Sequence, residues 1–413
     1  METSQSITHA KELLFLLGVI LATGMVCGFV ARLLKVPDVV LFLLAGMALG
    51  GAGLGAITVK VDSTLNQLLL IFGSCYILFD GGASMRLNVL KTVWPTLLII
   101  STIGVLISAF ITAFAAHYLT GLPFIFALLL GAVIASTDPA TLVPIFKQLK
   151  IRDKVAQTVM SESAFNDAMG AILTFAVLGI AMGNADGEFS ICASLVDLLK
   201  ESLFGIVGGA ILGYLAVIFI AHEKYSFLPE YAPVVTIISV AAAYLSIDNL
   251  HTSGFMAVFV FGLMLGNEAL FGFKMQPQEE AKLEDFILTT SLIMRIFIFV
   301  LLGSQVNFAL LNQYLWPSLG VVAVFMLIGR PLVVFACALP DRRAKWTLQE
   351  LLFMCWTRET GVIPGALAGM LVGLKVPYSD VIAAVTFMAI LITILLQATT
   401  TKWLAGKLGL LEA

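Results

Sequence analysis

Charge is what this 413-residue chain has least of. Lys, Arg, Asp and Glu make up 12% of it, against 60% hydrophobic residues. That excludes a soluble domain with a solvated surface, and a mean hydropathy of +1.03 is that of a polytopic membrane protein. Cysteine is sparse too. The five, at 27, 75, 192, 337 and 355, are scattered and form no CxxC pattern, which excludes a disulfide framework and a zinc site. Histidine is sparser still, with only His9, His117, His222 and His251, mostly near the ends of apolar runs. At most His117 or His222 tunes a pH response. There is no HExxH and no GxSxG motif with partners, so an intramembrane hydrolase has no catalytic set. Neither a low-complexity tail nor a soluble domain stands out. Nothing points to nucleic acid, to an organic cofactor or to enzymatic catalysis. The net charge of −3 says little, because charge is sorted by loop.

What the chain has is apolar runs of about 17–28 residues. They lie near 13–34, 38–56, 66–84, 92–117, 122–147, 155–182, 195–220, 231–248, 253–270, 285–304, 313–339, 350–373 and 379–404, each long enough to cross a bilayer. This predicts an all-α membrane protein of about thirteen transmembrane helices. The first run starts at Leu13 and continues to Leu34, so it reads as a span and not as a cleaved leader. The second is glycine-rich (Gly46, Gly50, Gly51, Gly53, Gly55), which permits close helix packing.

Basic residues give the orientation. Loops after the odd-numbered spans and the C-terminus carry sixteen: Arg32, Lys35, Arg86, Lys91, Lys147, Lys150, Arg152, Lys154, Lys224, Lys274, Lys282, Arg342, Arg343, Lys345, Lys402 and Lys407. The opposite side carries four: Lys11, Lys60, Lys200 and Lys375. The positive-inside rule then puts the N-terminus outside and the C-terminus in the cytoplasm. Three basic residues remain, Arg295, Arg330 and Arg358. All fall within apolar runs and are candidates to answer buried acids.

Those acids lie in the sixth run, in Ser161-Glu162-Ser163-Ala164-Phe165-Asn166-Asp167. A charge at membrane depth costs ~2.5–3.5 kcal/mol on insertion scales, so each should have a partner or a job. Glu162 and Asn166 are four apart and share one helix face. Ser163 and Asp167 share the next. One face can hold a structural pair while the other presents a carboxylate and a hydroxyl to a cavity.

Two spans are interrupted. The fifth contains Ala135-Ser136-Thr137-Asp138-Pro139-Ala140-Thr141, and the twelfth contains Thr357-Arg358-Glu359-Thr360-Gly361, followed by Pro364 and Gly365. Such breaks free backbone groups that survive only inside protein or beside a water-lined cavity. Interruptions at matching places in two halves mark inverted-repeat transporters, whose half-helices hold the ion. Spans four to six and eleven to thirteen form the paired units. The short loop Lys150-Ile151-Arg152-Asp153-Lys154 makes spans five and six adjacent and antiparallel. Thr137, Asp138, Ser163 and Asp167 then offer hard oxygen donors, suited to a hard cation. Two roles are open to Asp138: ligation, and capping the second half-helix of span five.

Ser136-Thr137-Asp138-Pro139-Ala140-Thr141 together with Glu162-Ser163-Ala164-Phe165-Asn166-Asp167 resembles the monovalent cation/proton antiporters, in their sodium/proton exchanger branch, with archaeal and bacterial members most similar. Met294 to Gly303 and Gly329-Arg330-Pro331-Leu332 fit the same family. The likeness runs from about Leu33 to the last span. It implies a homodimer of thirteen-helix protomers in the plasma membrane. Residues 1–91 and 223–304 would form the dimerisation domain, 92–182 and 305–413 the moving six-helix core, and 183–222 the linker. It further implies Asp167 as the cation- and proton-binding carboxylate, helped by Thr137, Asp138 and Ser163, with Glu162 and Asn166 held by Arg330. One departure stands out. Many relatives have Leu-Arg-Gly or Pro-Arg-Gly where this chain has Thr357-Arg358-Glu359-Thr360-Gly361, which leaves the helix-break charges of Arg358 and Glu359 to be placed. Asp80, in Phe79-Asp80-Gly81-Gly82, reads as a solvated helix-end residue or, less often, as an acid at the mouth of an ion pathway.

Competition for one carboxylate gives the mechanism. Burial disfavours a bare charge, so Asp167 takes either a proton or a dehydrated cation. If the core moves only when that charge is neutralised, exchange is obligatory. The neighbour Asn166 is not a second acid, so one proton exchanges for one cation and transport is electroneutral. The cation is Na+, with Li+ and K+ as further candidates. The rival reading is a cation channel or a subunit of an ion-translocating complex. A channel needs a continuous pathway, often with filter rings, whereas broken helices around a mid-membrane site favour a carrier.

Overall fold

The structure, a computed structural model, describes residues 2–34, 36–60, 63–137, 146, 151–183, 191–221, 229–250, 252–273 and 275–411. Among the described residues all regular structure is helical. The β contacts are two isolated bridges, Gly50 with Ile57 and Ile151 with Leu411. Among the described residues eight helices are long and apolar enough to cross a membrane: α1 (Glu2–Leu34), α3 (Thr64–Ala83), α4 (Leu87–Thr120), α6 (Asp153–Ala181), α7 (Ile191–Ala221), α10 (Pro277–Ser304), α11 (Leu315–Ala338) and α14 (Ser379–Lys407). Shorter apolar helices are α2 (Asp38–Leu49), α5 (Phe124–Ile134), α8 (Ala232–Asp248), α9 (Gly254–Leu265) and α13 (Val362–Gly373), and α12 (Leu348–Trp356) precedes the last of these.

Local chemistry sets the ends. The Ser63 hydroxyl accepts from the Asn66 amide at 3.3 Å and caps α3. Thr347 and Glu350 form a capping box on α12, in which each side chain answers a backbone donor the first turn would otherwise orphan. α4 stops at Gly121, whose φ of 75° is left-handed.

α2 is shorter than the run 38–56 suggests. It ends at Leu49, and residues 50–56 turn instead of continuing the helix. Glycine costs a helix about 1 kcal/mol per residue relative to alanine, and four glycines crowd this stretch. Two of the run's glycines do bring helices together. A Cβ on Gly46 would strike the Val300 carbonyl of α10, and one on Gly50 would strike that of Ser304. Gly82 of α3 and Gly262 of α9 pack in the same way, each against the other helix's backbone.

The helices fall into two packing groups. α9 packs on α3, α7 and α8, and α10 packs on α2 and α3. In the other group α4 lies against α5, α6 and α11, and α14 lies against α5, α11 and α13. Between the groups, α6 touches α3, α7 and α9, and α13 touches α3 and α10. At one end of the second group Lys154 of α6 reaches Glu350 of α12 at 2.7 Å and the Ala344 carbonyl at 3.2 Å. The Arg152 amide, just before α6, donates to the Leu410 carbonyl at 3.0 Å, so the chain's last described residues are tied to α6.

α5 stops at Ile134, and Thr357–Gly361 separates α12 from α13 as non-helical chain. The spans before and after this broken pair each carry a π segment, Phe325–Gly329 in α11 and Thr393–Ala398 in α14. Such insertions re-aim the side chains beyond them.

Candidate ion-binding site

Ser163, Asn166, Asp167 and Gly170 form one stripe of α6 at positions i, i+3, i+4 and i+7. The stripe lies along the break after α5. The Thr137 hydroxyl is 2.9 Å from Ser163 Oγ and 3.1 Å from Asn166 Oδ1, and the Thr137 amide donates to Asn166 Oδ1 at 3.0 Å. At the other end a Cβ on Gly170 would sit 3.0 Å from that of Ser136, so a larger residue there would push the chains apart by a few tenths of an ångström. Asp167 occupies the middle of this stripe and is 2% exposed. Asp138 lies outside the described residues.

Glu162 stands on another face and meets Arg330 of α11. Arg330 binds it with both terminal nitrogens, Nη2 to Oε2 at 2.8 Å and Nη1 to Oε1, and Arg330 Nε donates to the Met354 carbonyl of α12 at 2.9 Å. Arg330 is 1% exposed. A bidentate pair with the third donor on a carbonyl meets what a buried ion pair requires. The π segment of α11 ends at Gly329, immediately before Arg330. The arrangement differs from the sequence expectation at Asn166. Its oxygen holds Thr137, while the hydrogen bonds of Arg330 go to Glu162 and Met354. The division of faces also shifts, with Asn166 joining Ser163 and Asp167 and not Glu162, since Ser163 and Asn166 meet the same threonine. Spacing of four suggested distinct roles, and the working contact uses a spacing of three.

The second break mirrors the first. The Thr360 amide donates to Thr393 Oγ1 of α14 at 3.0 Å, as the Thr137 amide does to Asn166. Arg358 donates through Nη2 to the carbonyl of Ala135, the residue that caps α5, and its guanidinium lies 4.4 Å from the centre of the Phe325 ring. Glu359 is fully buried. Each π segment therefore supplies a residue that holds this break, Phe325 from α11 and Thr393 from α14. Sequence reading did not single out Thr393 or Phe325. Thr393 follows Thr360 by 33 positions, close to the 29 between Thr137 and Asn166, and that near-equal spacing is the signal that identifies it.

Asp80 is 7% exposed at the end of α3, so it is not a solvated helix-end residue. Arg295 is half-buried in α10, and among the described residues its Nε and Nη1 have no hydrogen-bond partner. His117 is tied by Nδ1 to the Leu122 carbonyl at 2.6 Å and stacks edge-on against Phe124, a structural placement at the end of α4. His222 and His251 lie outside the described residues. Among the described residues no cluster of His, Cys, Asp and Glu could hold a transition metal. A cavity of about 440 Å³ lies between the two helix groups, lined by Ala171 and Ile172 one turn beyond Asp167, by Ser74 of α3, Asp248 of α8 and Leu367 of α13.

The sequence pattern of a family described as the sodium/hydrogen exchanger, transmembrane, matches residues 18–407. Na(+)/H(+) antiporter 1 of Methanocaldococcus jannaschii is 32% identical over 95% of this chain and 95% of its own length. The K(+)/H(+) antiporter NhaP of Alkalimonas amylolytica is 28% identical over 95% of this chain and 66% of its own. Among solved structures, the sodium proton antiporter MjNhaP1 from Methanocaldococcus jannaschii at pH 8 superimposes with a TM-score of 0.78 at 31% identity, covering 96% of this chain and 99% of that one.

Proposed function

Because this chain belongs to the sodium/hydrogen exchanger family and is a transporter and not an enzyme, we propose that it exchanges a monovalent cation for a proton at Asp167. The observation that carries this reading is the stripe Ser163, Asn166, Asp167 and Gly170 packed along the break at Ser136 and Thr137. The stripe sets one buried carboxylate beside hydroxyls and the end of a half-helix. These are hard oxygen donors for a dehydrated cation. A carboxylate in such a place is neutralised by a proton or by the cation, and the two compete.

Thr137 and Ser163 complete the donor set, with Asp138 as a further ligand or as the cap of the next half-helix. Glu162 and Arg330 fix the core's geometry. Na+ is the first substrate, and relatives named for K+ exchange keep K+ in play. The cavity beside Ala171 and Asp248 is the approach to Asp167 from one side. Thirteen spans, an outside N-terminus, a cytoplasmic C-terminus, a homodimer in the plasma membrane and a core (92–182 and 305–413) that slides against the remaining helices belong to the same reading. The two packing groups support that division.

Fluorescence dequenching in inverted vesicles tests it. Addition of Na+, Li+ or K+, titrated across pH, should collapse a preformed proton gradient. The Asp167→Asn variant should insert and fold yet give no dequenching. Near wild-type exchange by purified Asp167→Asn protein in proteoliposomes would sink the assignment.

A further inference from the structure

We propose that Arg358 sets the cation affinity of the exchange site by placing a fixed positive charge at the end of α5. This rests on Asp167 as the exchange site. Three observations converge. Arg358 Nη2 donates to the carbonyl of Ala135, two residues before Thr137. Arg358 is 3% exposed, and its guanidinium lies 4.4 Å from the centre of the Phe325 ring, so it is held and not roaming. Among the described residues its Nε and Nη1 have no hydrogen-bond partner and no ion pair includes it.

The contrast with Arg330 shows why this matters. Arg330 is matched by a bidentate carboxylate, so its field at the site is largely cancelled. Arg358 is matched by a carbonyl and an aromatic face, which favour a cation without neutralising it. The last carbonyls of α5 are orphan acceptors at the negative end of a helix dipole, and they are the groups a bound cation would draw on. Arg358 already occupies one of them. Its charge therefore opposes the arriving cation and keeps the carboxylate from holding Na+ too tightly to release. Arg358 thus acts through the α5 end and is a positioning residue, in a part of the chain where the wider family's pattern is different.

The test uses the purified full-length protein in proteoliposomes at alkaline pH, with Na+-driven proton flux as one readout. Na+-dependent thermal stabilisation in detergent is the second and needs no transport. Arg358→Gln removes the charge and keeps a donor for the Ala135 carbonyl. It should lower the half-saturating Na+ concentration roughly tenfold, the scale of one unit charge acting through a partly screened protein interior, and should lower the maximal rate as release slows. The Na+ midpoint of stabilisation should fall in parallel. Arg358→Lys keeps the charge and should retain the wild-type midpoint. A purely structural residue gives a different pattern, with a raised or unchanged midpoint in Arg358→Gln. That result overturns the proposal. So does failure of both Arg358→Gln and Arg358→Met to fold while Arg358→Lys folds, since stability would then account for the residue. If wild-type protein shows no Na+-driven flux, or Asp167→Asn shows it in full, the exchange-site reading fails first. The two failures are therefore distinguishable.

Discussion

The backbone amide of Thr137 donates to Asn166 Oδ1 at 3.0 Å, so the first half-helix of the broken pair is pinned by the residue next to Asp167. The Thr360 amide meets Thr393 Oγ1 in the matching place of the second half. In each repeat the freed amide after a helix break is answered by a side chain of the following span. An unanswered buried amide costs about 1–3 kcal/mol, which sets the scale of these two contacts.

Asn166→Ala should therefore destabilise the protein by about 1–3 kcal/mol, read as a lower melting temperature in detergent. Asn166→Asp keeps the acceptor for Thr137 and should recover most of that loss, while adding a second carboxylate beside Asp167. If Asn166→Asp melts as low as Asn166→Ala, the acceptor role is wrong.

Glu162 and Arg330 are a buried pair, and removing one partner from such a pair typically costs ~3–5 kcal/mol because the other charge is stranded. Arg330→Ala should lower yield and melting temperature more than Asp167→Asn does. The double variant Glu162→Gln/Arg330→Gln should restore part of the loss. Wild-type stability in Arg330→Ala would show that the bidentate contact does not hold the core together.

Much of the fold is legible in the chain because a bilayer leaves few options. Apolar runs long enough to span become helices, and the breaks at Ala135 and Thr357 announce themselves through polar residues in apolar surroundings. The length of α2 was not legible. Glycines at 46 and 50 serve helix contact, whereas those at 51, 53 and 55 end the helix, and composition treats them alike. The partner of Asn166 was hidden for a different reason. Helix spacing says which side chains share a face, but which span packs on that face is a tertiary fact. Arg358 was legible as a buried charge and not as a link to Ala135, since that contact joins residues 223 positions apart.

Asp341 ties the stretch after α11 to α4. Its Oδ2 accepts from the Thr96 hydroxyl at 2.7 Å and the Thr96 amide at 3.2 Å, and its Oδ1 accepts from the Arg343 amide at 3.0 Å. Burial pushes this carboxyl up. The hydrogen bonds from Thr96 and from the amides of Arg343 and Ala344 outweigh it and hold it below the usual aspartate value. A depressed carboxyl contributes stability in full above its unfolded pKa, about 3.9, and loses it as pH falls through the folded value. Asp341→Asn should thus melt a few degrees lower than wild type at pH 7, an effect on the order of 1 kcal/mol. The gap should narrow below about pH 4. Equal gaps at pH 7 and pH 3.5 would remove the carboxylate from the explanation.

Electroneutral exchange is the sharpest prediction to be drawn from Asn166 standing beside Asp167. Asn166 is neutral and its oxygen is committed to Thr137, so it contributes no charge that changes during a cycle. Glu162 is matched by Arg330, which leaves that pair neutral as a whole. With the proposed exchange at Asp167, the site would carry the same charge whether it holds a proton or a cation, and one full cycle would move no net charge. A membrane potential does work of ~2.3 kcal/mol per elementary charge per 100 mV, and with no charge moved that work vanishes. Reconstituted protein at a fixed Na+ gradient should reach the same steady-state pH difference with or without a potassium diffusion potential. Asn166→Asp provides the contrast, because a second titrating carboxylate would carry a second proton and make the steady state follow voltage. If wild-type protein already follows voltage, the single-carboxylate account fails, and Asp138 becomes the residue whose titration must be counted.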